Sequence, residues 1–181
     1  GQVFPTWRGS LPSAEGQGSV VAFLDTGIND APDGAYPGHQ SLLGRCLGGA
    51  SFIGPDSISH TARNGSENPV DPGGQATQSH GTHVAAIAVG AGGDNGYAHG
   101  VAPRAKFIDV KVLDDTGHGV AVPEAIDWCI SNRARHWLGA APDEYGIDVM
   151  NLSLSSPDVS DGQDLASRLA ARAAQLGIVV V

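Results

Sequence analysis

The chain has 181 residues, enough for one domain with a sizeable core, and its 41% hydrophobic and 16% charged content is that of a packed protein rather than a disordered one. A formal charge of −9 leaves no basic stripe to displace counterions from phosphates, which argues against nucleic acid and anionic membrane as partners. No apolar stretch approaches the roughly 20 residues that span a bilayer, and the opening GQVFPTWRGS lacks the charged and apolar regions of a signal peptide.

In chain order, SVVAFLDTG (19–27) is a short continuous apolar run ending in an acid and a Thr-Gly turn, the pattern of a strand buried on both faces. Asp25 thus falls at the carboxyl end of that strand, where open α/β sheets place ligands and catalytic groups. Read alone, Asp25 is more readily an acid that caps its own turn through Thr26 and Gly27 than a catalytic group. From about 29 to 79 Gly, Pro, Asn, Asp and Ser are scattered, which reads as surface loops around one short strand near GGASFI (48–53).

QSHGTHVAAIAVG (78–90) starts a helix of small residues at His80. The positive end of a helix dipole favours a neutral imidazole there, which suits a base; alone, His80 is more readily a polar residue of the first turn. His83, flanked by Val84 and Ala85, is expected to point inward and hydrogen-bond within the protein. A zinc reading of the pair needs two His four apart with a Glu between, and neither feature is present.

FIDVKVL (107–113) reads as a second buried strand. VPEAIDWCISNRARHW (122–137) reads as a helix with Pro123 in its first turn and Ile126, Cys129, Ile130 and Trp137 near one face. IDVMNLSL (147–154) is again strand-like, GQDLASRLAARAAQLG (162–177) is a helix with Leu165, Leu169, Ala173 and Leu176 on one face and Gly177 to end it, and GIVVV (177–181) is a last apolar strand. Strands alternating with helices of this length imply right-handed crossovers and an α/β fold, a mostly parallel sheet with helices on both faces. GIVVV stops without turn or polar cap, so the fold is expected to be incomplete here. Two cysteines, Cys46 and Cys129, are too few for a disulfide framework, are not spaced as zinc ligands, and read as half-buried thiols.

Taken together, VVAFLDTGI, SHGTHVAAI, GVAPRAKFIDVKVLDDTGHG and VMNLSL, in that order, resemble the subtilisin-like serine peptidase family from about residue 16 to the end. The resemblance implies that residues 1–181 are the amino-terminal portion of one subtilisin-like catalytic domain, with no separate second domain. It implies a Ser-His-Asp endopeptidase in which Asp25 is the acid, His80 the general base and His83 a non-catalytic neighbour. It also implies that an extended polypeptide substrate lies as an added strand between Gly117, His118 and Gly119 on one side and Ser153, Leu154 and Ser155 on the other. Relatives of this kind are mostly secreted, which makes an extracellular location the expectation.

The family pattern continues with an Asn that serves the oxyanion and, much later, a Gly-Thr-Ser that carries the nucleophile; neither occurs in these 181 residues. No serine present is therefore assigned as nucleophile, this chain alone is expected to be inactive, and a carboxyl-terminal segment or a second chain is expected to complete it. Gln40 and Ser41 replace the Pro and Asp of the family's His-Pro-Asp-Leu stretch, which weakens transfer of its calcium site, although Asp94 and Asn95 still offer oxygen ligands. No cofactor is required for the chemistry. The competing readings are a catalytically inactive relative that binds peptides or partners along the same cleft and an unrelated nucleotide-binding α/β domain. A first strand that leads to Asp-Thr-Gly rather than a Gly-rich phosphate turn speaks against the latter.

Overall fold

The computed structural model describes residues 15–32, 38–53, 79–93, 98–114, 116–119, 121–155 and 160–181. Much of the loop region expected between 29 and 79, together with Asp94 and Asn95, lies outside them.

Five strands, β1 (Val20–Asp25), β2 (Cys46–Ser51), β3 (Lys106–Lys111), β4 (Val149–Asn151) and β5 (Val179–Val180), form one sheet in the order β2-β3-β1-β4-β5, with every neighbouring pair parallel. Three helices are described, α1 (His80–Val89), α2 (Val122–Asn132) and α3 (Leu165–Gln175). The expected α/β class, with helices on both faces, is what forms.

The period of two along a strand decides what each face carries. Val20, Ala22 and Leu24 of β1, with Ile108 and Val110 of β3, pack against Ile126 and Cys129 of α2 and Ala173 of α3. Phe23 and Phe107 point the other way, against Ala85 and Val89 of α1. Their rings meet edge to face at 6.2 Å and 72°, a geometry that contributes about 0.5–1.5 kcal/mol beyond burial. The same alternation sends Asp25 to the face that α1 covers, and this is what brings it to His80.

Both carboxyl-side helices end as short local bonds dictate. Asp164 caps α3, its Oδ1 accepting from Ser167 N at 2.9 Å and its Oδ2 from Ser167 Oγ at 2.7 Å; Gly177 follows the helix at φ +95°. Helix α2 stops at Asn132, not at Trp137 as expected. The Asn132 side chain donates to Trp128 O and the Arg133 guanidinium to Ile130 O, local bonds that compete with continuing the helix. Trp137 is buried nonetheless, its Nε1 donating to Gly146 O at 2.8 Å. Cys129 is fully buried rather than half-buried, and burial pushes its thiol pKa up. Cys46 is half-buried, with its thiol pushed up by burial and then by the charge of Asp109.

Candidate active site

The site grows from two short segments stitched together, the turn after β1 and the first turn of α1. Asp25 is completely buried; its Oδ1 accepts from Thr26 N at 2.7 Å and from His80 Nδ1 at 2.8 Å. A carboxylate can only accept, so the imidazole proton sits on Nδ1 and Nε2 is left with its lone pair. The His80 side chain is 43% exposed, whereas that of Asp25 is 0%. A buried acid thus holds the inner edge of the ring and leaves the outer nitrogen accessible.

Two threonines complete the seam. Gly81 N donates to Thr26 Oγ1 at 2.9 Å, and Asn29 N donates to Thr82 Oγ1 at 2.9 Å. Each threonine thereby satisfies a backbone donor that its own segment leaves open, one of them in the first turn of a helix. The residue before His80, Ser79, is left-handed at φ 59°, an unfavoured conformation for a side-chain-bearing residue that the surrounding bonds maintain. Nothing in composition pointed to Thr26 or Thr82 as partners of each other's segment; their positions after Asp25 and His80 were the only signal.

His83 does not point inward. The buried residues of α1 are Gly81, Thr82, Ala85 and Val89, and His83 and Ile87 fall on the opposite side, both exposed. There His83 lines a cavity of about 560 Å³ with His39, Gln40, Ser41, His99 and others. Ser41 Oγ and His39 Nδ1 share a hydrogen bond of 2.8 Å. Among the described residues no group of three or more His, Cys, Asp or Glu side chains is placed to hold a metal ion. The hydroxyl of Ser41, where the family has an acid, is thus already engaged, and the oxygen donors Asp94 and Asn95 lie outside the described residues.

The two segments expected to hold substrate flank this pair. Gly117, His118 and Gly119 follow β3, and Ser153, Leu154 and Ser155 follow β4; β3 and β4 are the two neighbours of β1. The sheet order therefore sets them on either side of Asp25, at the same edge. The β3 loop is organised by Asp114, whose Oδ1 accepts from Thr116 N, Thr116 Oγ1 and His118 N at 2.8, 2.6 and 2.9 Å. Those bonds, the Thr116 hydroxyl first, hold the Asp114 carboxyl at about 2, well below its usual range. Thr116 Oγ1 gives its one proton to Asp114, so at 2.6 Å it accepts from His118 Nδ1, and the exposed His118 presents Nε2 as an acceptor. Across the cleft, Asn151 Nδ2 donates to Ser153 Oγ at 3.0 Å; Ser153 and Ser155 are exposed and Leu154 is half-buried.

A parallel sheet with a buried Asp bonded to a half-open His at its carboxyl edge is an arrangement able to carry acid-base chemistry. Comparison with known proteins makes the class specific. The sequence profile of the Subtilase family matches residues 16–181, and the chain belongs to that family. It is 33% identical over 171 residues to Serine protease AprX of Bacillus subtilis (strain 168), covering 91% of this chain and 32% of that protein. To the Thermostable alkaline protease of Halalkalibacterium halodurans it is 34% identical over 168 residues, 92% of this chain and 35% of that protein. Among solved structures, Sphericase superposes with a TM-score of 0.64 at 27% identity, over 91% of this chain and 45% of that one. The S41 Psychrophilic Protease does so with a TM-score of 0.63 at 28% identity, over 91% and 44%. The chain thus spans about a third of the length of the curated relatives it matches.

Proposed function

We propose that residues 1–181 are the amino-terminal portion of a single subtilisin-like catalytic domain, and that the full-length protein is a serine endopeptidase in which Asp25 and His80 are the acid and the base. The observation that carries this is the 2.8 Å bond from His80 Nδ1 to a fully buried Asp25, with the ring otherwise half-open to solvent. Sequence outside these residues, on the same precursor or in a second chain, supplies the nucleophilic serine and the oxyanion Asn. By family resemblance the enzyme acts outside the cell; no helix among the described residues is long and apolar enough to cross a membrane.

In the first step His80 Nε2 accepts the serine proton as Oγ bonds to the scissile carbonyl carbon. The imidazolium so formed is stabilised by Asp25, which keeps its own negative charge throughout. Nε2 then returns the proton to the leaving amine as the C–N bond breaks. Water repeats the sequence on the acyl-enzyme and frees the serine. The substrate lies extended along the backbone of Gly117, His118 and Gly119 and of Ser153, Leu154 and Ser155, a mode that reads main chain before side chain and gives broad specificity.

A fluorophosphonate probe tests the reading on the full-length protein. Labelling of the wild type that is lost in His80→Ala supports it. Folded wild-type protein that takes no label contradicts it and marks the chain instead as an inactive relative that binds peptides or partners in the same cleft.

A further inference from the structure

One buried lysine offsets part of the negative charge beneath the Asp25–His80 pair. Three carboxylates at the carboxyl end of β1 and β3 are out of solvent, Asp25, Asp30 and Asp109, and the cation buried with them is Lys111, 8% exposed. The other buried cation among the described residues, Arg45, donates to the carbonyls of Pro103 and Ala105 at the opposite end of the strands.

Lys111 is the register partner of Asp25 across the β1–β3 ladder. Registered residues of neighbouring parallel strands share a face about 4.8 Å apart. Its Nζ donates to the carbonyl of Thr26, the residue directly after Asp25. Asp25 Oδ2 is buried and has no hydrogen-bond partner among the described residues, so the field around that carboxylate matters more than usual. From β2 the register partner of Lys111 is the uncharged Ser51. The groups that set the local charge are therefore Asp25 on β1, Asp30 beyond its turn, Asp109 on β3 and His80 on α1.

We propose that Lys111 is a positioning residue for the reaction: its buried ammonium anchors the Thr26 turn and offsets the charge of Asp25, so that His80 stays neutral and able to accept a proton. This rests on the acid and base roles proposed above. An anionic Asp25 by itself favours the imidazolium, and a cation held on the adjacent strand at the Thr26 carbonyl opposes that preference. Removing the cation therefore raises the pH at which His80 loses its proton.

The test compares Lys111→Met, Lys111→Gln and Lys111→Arg in the full-length protein, each checked for folding by circular dichroism. The pKa of the His80 imidazole is followed by NMR on histidine-labelled protein, alongside kcat/KM against pH. The Met and Gln variants are expected to move the His80 titration and the acid limb of kcat/KM upward by about 0.5–1 pH unit, and Arg is expected to leave both in place. Unmoved titration in folded Met or Gln protein overturns the proposal, as does a set in which only the Arg variant folds, since the charge then serves folding. A wild type without peptidase activity contradicts the function proposed above and not this inference, because the His80 titration still reads the lysine.

Discussion

A methyl group added to Gly81 would lie 2.2 Å from the carbonyl oxygen of Gly27 and 3.1 Å from Asp25 Oδ1. The helix that carries His80 thus docks on the turn after Asp25 at a distance only a glycine allows. Gly81→Ala is expected to push the helix start outward, lengthen the Nδ1–Oδ1 bond and lower kcat/KM of the full-length protein at least roughly 100-fold. Steady-state hydrolysis of a peptide substrate checks this, and activity within a few-fold of wild type would show that the close approach is not needed.

Thr26→Val keeps the shape of a buried side chain but leaves Gly81 N without its acceptor. An unsatisfied buried donor costs about 1–3 kcal/mol, so the midpoint of urea unfolding should fall by that equivalent at unchanged slope. Thr82→Val should do the same through Asn29 N, and the two losses should not add, because both threonines close one seam.

Asp114 gives the loop 114–119 a pH dependence with a definite sign. Its folded pKa, about 2, lies below the ordinary 3.8, so its contribution is fully present above about pH 4 and is lost as pH falls through about 2. The amides of Thr116 and His118, which donate to that carboxylate, should therefore keep their hydrogen-exchange protection across the whole neutral and mildly acidic range. Asp114→Ala should remove that protection at every pH and raise KM more than it lowers kcat. Protection that survives the substitution would assign the loop's order to something else.

His83 provides the contrast with His80. It is exposed on the far side of α1, so His83→Ala should leave kcat/KM within about threefold of wild type. A loss comparable to that of His80→Ala would mean that the helix face has been misassigned.

How far the sequence reaches is clearest in these same residues. The apolar runs 19–27 and 107–113 were enough to place buried parallel strands, and alternation along β1 then fixed which face Asp25 takes. The helix 80–89 was legible as a helix but not in rotation: 84–89 are all apolar, so no polar stripe marked its outer face, and His83 was expected inside. Trp137 was read onto α2 by its spacing, because bonds made by Asn132 and Arg133 that end the helix leave no trace in hydrophobic periodicity. Lys111 was invisible for a related reason. It lies inside a run read as buried, and only the register with Asp25 and the bond to Thr26 O show what its charge faces.

The central claim is that Asp25 and His80 act as one unit, and a double-mutant cycle on the full-length protein tests it most directly. With kcat measured for Asp25→Asn, His80→Ala and both together, each single change is expected to cost roughly 10⁴-fold or more and the double change little beyond the larger single loss. Losses that multiply, or a His80→Ala variant that keeps most of its turnover, would contradict the account.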